Sequence, residues 1–178
     1  MKLYHTTNRG KKINTEGLRN VRKKDINHIE NFIRRKILDN KRPQEFKEFK
    51  TQKAIYFFRE NELGKNLKVH FNNTIFIVDS EKLDRSKIRV FSYSIYQELK
   101  RTWPLNYRKR KNIIKRYWNN SLTLEDYEDL EKKGEIDYIP EFLYFNEIVS
   151  LNNIKKWNPK KSEKEKILND WKKNQSEK

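Results

Sequence analysis

Three short runs of the chain hold side chains that could act on a ligand. The first is Leu3-Tyr4-His5-Thr6-Thr7. An imidazole at the end of a strand can donate or accept a hydrogen bond to a sugar hydroxyl, and the turn beyond it offers backbone groups. The second is Ile55-Tyr56-Phe57-Phe58, where strand alternation sets Tyr56 on the face opposite Ile55 and Phe57. An aromatic ring there could stack on a flat heterocycle. The third, Pro140-Glu141-Phe142-Leu143-Tyr144-Phe145, opens on a proline, which a strand tolerates at its first position. That places Glu141 at the strand mouth, where a carboxylate stays solvated or faces a ligand. Glu147 has the same parity along this run and is a further candidate. Each run also has a plain structural reading: a satisfied histidine, a core tyrosine, a solvated strand-end charge.

A fourth run, Tyr107 to Trp118 (YRKRKNIIKRYW), interleaves cations with aromatics. Arg108, Lys109, Arg110, Lys115 and Arg116 could pair with phosphates while Trp118 or Tyr117 stacks on bases. The other reading is a solvated basic helix whose Ile113, Ile114 and Tyr117 pack inward. Forty-two Lys plus Arg against twenty-five Asp plus Glu leave a net charge of +17, which draws a protein toward polyanions in a salt-sensitive way. Nucleic acid is the obvious such partner. The basic residues are mostly Lys in a chain crowded with Asn and Ile, as AT-rich coding produces without selection for binding, so the charge has both readings.

The elements that must hold these side chains are short. Met1 to Thr6 reads as a strand, and Asn8 to Thr15 as a helix stopped by Gly17, with Leu18 as the apolar residue beyond the cap. Asp25 to Leu38 reads as a helix capped by Asp25, with Ile26, Ile29, Ile33 and Ile37 on one face. Lys53 to Phe58 and Thr74 to Asp79 are aromatic and β-branched runs expected to be buried strands, and Arg89 to Tyr93 is another. Tyr93 to Thr102, Leu105 to Trp118 and Leu124 to Lys132 are expected helices, the last opened by Thr123 and closed by Gly134. Pro140 to Val149 is the strongest strand signal, followed by a turn or short extension over Leu151 to Trp157. Beyond Pro159 the chain is mostly Lys, Glu and Asn, with Ile167, Leu168 and Trp171 as the plausible anchors of a terminal helix.

Composition bounds the rest. At 178 residues one core is expected, burying roughly two-thirds of the unfolded surface. An aromatic content of 13% argues for a folded chain despite the high charge. No run approaches the roughly twenty apolar residues of a membrane span, and the first thirty residues lack the apolar core of a signal peptide, so a cytoplasmic protein with no membrane partner is expected. The chain has no cysteine, which removes disulfides and thiolate chemistry. His5, His28 and His70 are scattered, so no metal is assigned.

Taken in order, the runs resemble a known superfamily. A strand-borne His followed by Thr, a helix ending in Glu16-Gly17-Leu18, a strand carrying Tyr56, the strand and turn TIFIVDSEKL, and a last strand PEFLYFNEIVSLNNI opening on Glu141 are similar to the ADP-ribosyltransferases of the His, Tyr, Glu type. The resemblance covers about residues 2 to 157. It implies an α+β fold with a split β-sheet core and helices packed around it and a domain over residues 1–159; the Lys-, Glu- and Asn-rich composition beyond it makes 160–178 a charged tail or loosely attached helix. It implies NAD as co-substrate and transfer of ADP-ribose to a macromolecular acceptor. By the resemblance, Glu141 is catalytic, His5 binds the adenosine ribose, the backbone at Thr6 holds the nicotinamide amide, and Tyr56 stacks on the nicotinamide ring. Cleaving the bond to nicotinamide develops positive charge on the ribose, which a carboxylate stabilises.

Departures from the family direct the acceptor. The usual opening pair is His-Gly, whereas Tyr4-His5-Thr6-Thr7 resembles the Tyr-His-x-Thr form of DNA-modifying, DarT-like toxins, which favours a nucleic-acid acceptor over a protein. Those enzymes also use an arginine, and Arg34, Arg35, Arg42 and Arg59 all stay open. The arginine-modifying branch has Glu two residues before the catalytic one, where this chain has Ile139. The tRNA 2′-phosphotransferases carry an added N-terminal module before the histidine strand, and the chain is not expected among them. The rival from another class is a non-enzymatic basic nucleic-acid-binding domain.

Overall fold

A computed structural model of the chain describes residues 1–7, 13, 16–19, 26–64, 74–102 and 107–176, of which 26–32, 107 and 174–176 are described in backbone only. The strands are β1 (Lys2–Thr7), β2 (Leu18–Arg19), β3 (Ile55–Phe57), β4 (Thr74–Asp79), β5 (Ile88–Ser92), β6 (Leu122–Thr123), β7 (Pro140–Tyr144), β8 (Ile148–Val149) and β9 (Ile154–Trp157). The helices are α1 (Ile26–Asn40), α2 (Tyr93–Arg101), α3 (Tyr107–Asn119), α4 (Leu124–Lys132) and α5 (Lys161–Ser176). The fold is α+β. Its residues group into two compact units, one of Met1–Arg19, Phe57–Asp84 and Ile148–Lys178, the other of Asn20–Tyr56 and Arg85–Glu147.

In the first unit β1, β4 and β9 form an antiparallel sheet in that order, with His5 opposite Phe76 and Thr6 opposite Ile75. Tyr4 exchanges both backbone hydrogen bonds with Phe58 at 2.9 Å. Alternation along β1 therefore turns the backbone N–H and C=O of Thr6, which shares the parity of Tyr4, away from β4. Tyr4, Leu63 and Ile75 are buried together, with Trp157 and Ile167 packed against them. The expected helix over 8–15 lies mostly outside the described residues. Its end is described: Gly17 has φ 77°, a backbone that favours glycine, and its N–H donates to Ile13 O at 3.0 Å. Leu18 is buried beyond that cap. In α5, Ile167 joins the buried cluster, and Gly64 lets the helix approach, since a Cβ on it would lie 2.1 Å from that of Trp171.

In the second unit the sheet runs β3-β7-β5-β6, with Phe91 opposite Glu141 and Ser92 opposite Pro140. Helices α1, α2 and α3 supply its core, where Leu38, Leu99, Ile113, Ile114, Tyr117 and Trp118 meet Phe91 and Leu143. Ser92 caps α2 and Thr123 caps α4 through their side chains. Gly134, at φ 72°, ends α4, as its position after the last periodic residue leads one to expect.

Two elements depart from the sequence reading. The strand expected over Pro140 to Val149 breaks after Tyr144, where its partner β5 runs out at Ile88: the Phe145 N–H makes one last in-register bond to Lys87 O at 2.8 Å, and its ring meets Phe49 edge-on. Then β8 pairs with β2 instead. The isoleucine face of α1 also shifts. Ile33 is 41% exposed, while Arg34, Arg35, Leu38 and Asp39 are buried; Asp25, the expected cap, lies outside the described residues.

Candidate active site

Glu141, the second residue of β7, is held from two sides. Its Oε1 accepts from Arg35 Nη2 at 2.6 Å and its Oε2 from the Tyr117 hydroxyl at 3.1 Å. Arg35 Nη1 in turn donates to the same hydroxyl at 2.7 Å, closing a ring of three side chains drawn from α1, α3 and β7. Arg35 is 4% exposed and Glu141 11% at their side chains. A guanidinium so deeply buried needs more than one partner, and it has a cage of rings: its carbon lies 3.7 Å from the Tyr96 centroid, 4.8 Å from Tyr56 and 5.9 Å from Tyr117. The negative ring faces attract the cation.

The charge states follow from this packing. Burial alone pulls the Arg35 guanidinium down, but the attraction of Glu141 and of the tyrosines outweighs it and holds the group well above its ordinary value. Burial pushes the Tyr56 and Tyr117 phenols well up, against the opposing pull of Arg35 and with the help of Glu141. Tyr93 is raised by the same causes. The site is thus a fixed cation and a carboxylate among neutral phenols.

Tyr56 is anchored at its other end, its hydroxyl donating to Thr51 O at 2.5 Å. Ile55 and Phe57 are buried and Tyr56 is half-buried, as alternation requires. Tyr56 and Glu141, far apart in sequence, therefore meet through one guanidinium. A carboxylate offers about four acceptor positions, and the Arg35 and Tyr117 bonds occupy one on each oxygen of Glu141, so each oxygen keeps a further lone pair.

The four arginines that stayed open can now be separated. Arg35 reaches Glu141. Arg42 gives its guanidinium to the backbone oxygens of Asp39 and Lys47. Arg34 is buried on α1, and Arg59 belongs to the first unit, where it contacts the Met1 sulfur at 3.1 Å. His5 and Thr6 are half-buried on β1, and the His5 ring meets Phe57 edge-on at 6.1 Å. Glu147 is exposed in the bend after β7, its backbone N–H capped by Asn146, so the parity that linked it to Glu141 is lost with the strand.

Helix α3 turns out to have two unlike faces. Ile113, Ile114, Tyr117 and Trp118 are buried, while Arg108, Lys109, Lys115 and Arg116 are exposed and Arg110 is half-buried. The stacking role expected of Trp118 is corrected: the indole is fully buried, gives its N–H to Leu38 O at 3.0 Å, and packs edge-on against Phe91. Tyr117 likewise belongs to the interior. Of the outer cations, Arg116 pairs with Glu98 at 2.9 Å.

The parts that sequence reasoning did not find are Tyr117 and Tyr96 as cage members and Arg35 as the partner of Glu141. The charged pair Arg34-Arg35 inside an isoleucine-periodic helix was the available signal. Among the described residues, no group of three His, Asp or Glu side chains could hold a metal ion, and no helix is long and apolar enough to cross a membrane. No protein-family model, curated protein or solved structure matches the chain.

Proposed function

We propose that this chain is an NAD-dependent ADP-ribosyltransferase with a nucleic-acid acceptor. One observation carries the reading: Glu141 at the mouth of β7 and the ring of Tyr56 converge on Arg35. Stability does not demand such an arrangement, because replacing a buried ion pair with well-packed apolar side chains is often neutral or stabilising. A buried cation and carboxylate beside Tyr56 and Tyr117, whose phenols burial pushes up, is the kind of perturbed cluster that marks functional sites.

In this reading the C1′–N bond of the nicotinamide ribose breaks and its electron pair leaves with nicotinamide. The ribose gains positive charge at C1′, which the Glu141 carboxylate stabilises. A nitrogen or oxygen of the acceptor then bonds C1′ and loses its proton to solvent. Tyr56 stacks on the departing ring, and Arg35 keeps Glu141 aimed at the sugar. The roles of His5 toward the adenosine ribose and of the Thr6 backbone toward the nicotinamide amide follow from the resemblance.

The outer face of α3 supports the choice of acceptor, since Arg108, Lys109 and Lys115 stand exposed on a helix with no acidic residue. That same face supports a second reading, a non-enzymatic basic domain that binds nucleic acid by charge. Labelled NAD incubated with single-stranded or duplex nucleic acid separates them. Nicotinamide release and label transfer, both lost in Glu141→Gln, are expected. Salt-sensitive retention on nucleic acid, with no release and no NAD-dependent rise in melting temperature, would overturn the enzyme reading.

A further inference from the structure

We infer that Asp39 and Thr51 are positioning residues that set the orientation of the Tyr56 ring against Arg35, an inference that rests on reading this cluster as the nicotinamide site. Asp39 lies one turn beyond Arg35 on α1, so the two share a face. Its buried carboxylate gathers the turn before β3: Oδ1 accepts from Thr51 N at 2.8 Å and from the Thr51 hydroxyl at 2.7 Å, and Oδ2 accepts from Gln52 N at 3.1 Å. The same hydroxyl lies 3.4 Å from Arg35 O. Thr51 is fully buried and Asp39 4% exposed.

The carbonyl of that turn receives the Tyr56 hydroxyl. The phenol is thus tied at its far end to a backbone segment that the Arg35 helix itself holds. A tyrosine fixed at Cα and at its oxygen cannot swing outward, and because a phenol O–H prefers the plane of its ring, a hydrogen bond in a fixed direction also biases the roll about the long axis, so the ring face stays toward the guanidinium at 4.8 Å. A carboxylate that bonds two successive backbone amides and a hydroxyl is well suited to this, because charge-assisted hydrogen bonds are the stronger ones. Arg42 braces the arrangement by donating to Asp39 O at 2.6 Å. A ring meant to stack on a planar heterocycle gains from being held before the ligand arrives.

Two measurements test this separately from the reading beneath it. With 3-fluorotyrosine at position 56, the ¹⁹F resonance of Thr51→Val and of Asp39→Asn should shift and broaden, while Thr51→Ser, which keeps the hydroxyl, stays near the parent signal. In steady-state nicotinamide release, Thr51→Val and Asp39→Asn should raise the KM for NAD about tenfold, on the scale where a misplacement of about an ångström costs about a hundredfold. Thr51→Ser should recover most of that change. Merely structural damage would lower kcat by reducing the active fraction and leave KM alone. An unmoved ¹⁹F signal in a folded Thr51→Val or Asp39→Asn protein overturns the positioning role, as does a fall in kcat with KM unchanged. If the parent protein releases no nicotinamide, the function proposed above falls, while the ¹⁹F comparison still decides whether these residues hold the ring.

Discussion

Arg35 Nη2 stands 2.6 Å from Glu141 Oε1, with both side chains nearly withdrawn from water. Such a pair is asymmetric in its consequences. Removing one partner leaves the other buried and uncompensated, at a cost of about 3–5 kcal/mol, whereas removing both can be nearly neutral. Arg35→Ala and Glu141→Ala should each destabilise by about that amount in urea unfolding. The double variant Arg35→Met/Glu141→Leu should regain most of the loss and show no nicotinamide release, separating the contribution to folding from the contribution to chemistry.

High pH should unfold the protein through its tyrosines. Tyr56, Tyr117, Tyr93 and Tyr138 are all raised above the ordinary 10.0 by burial first, and Tyr4 is pushed up to about 12. An unfolded chain loses these phenol protons near pH 10, while the folded one keeps them. Below pH 10 the stabilisation is therefore complete, and it declines as pH rises from there through the folded values, by up to about 1.4 kcal/mol per pH unit for each such group. Absorbance at 295 nm and circular dichroism should change together in one steep step above pH 10. Tyrosine ionisation at ordinary pKa in a protein that stays folded would contradict the buried cage.

The two faces of α3 make opposite predictions. Arg108→Ala, Lys109→Ala and Lys115→Ala should each weaken nucleic-acid binding and lower the salt slope by about 1 for every phosphate no longer neutralised, with unfolding nearly unchanged. Trp118→Phe should leave the salt slope alone and lower stability by about 1–3 kcal/mol, because the indole's hydrogen bond to Leu38 O and part of its packing are lost from the interior. Filter binding across a salt series, alongside denaturant melts, reads both.

At Gly64 the C-terminal helix comes too close for a side chain. Gly64→Ala places a methyl 2.1 Å from Trp171 Cβ, a backbone-near atom that cannot simply rotate away. A cost of about 1–3 kcal/mol is expected, together with faster amide exchange over Lys161–Ser176 and a red shift of Trp171 emission. Unchanged exchange in that helix would show that it does not depend on this close approach.

Much of the fold was legible because local signals decide local structure. The strand Thr74–Asp79, the helix Leu124–Lys132 with its Thr123 cap, and the stops at Gly17 and Gly134 each depend on residues within a turn of themselves, and sterics and capping act at that range. The ordered His5, Tyr56 and Glu141 runs were readable in the same way, as side chains on expected strands. What the tertiary structure decided was which faces turned inward. Periodicity put Ile33 in the core, yet α1 buries Arg34, Arg35 and Asp39; for Arg35 and Asp39 a carboxylate on β7, a turn before β3 and a cage of tyrosines from three other elements supply the charge and hydrogen bonds. Likewise nothing local distinguishes Phe145 from the residues before it; the strand ends there because the partner strand β5 begins only at Ile88, after a helical turn over Arg85–Lys87. A helix carries its hydrophobic stripe in its own residues, but a buried charge is tolerated by virtue of partners distant in the chain, and those are brought together by folding.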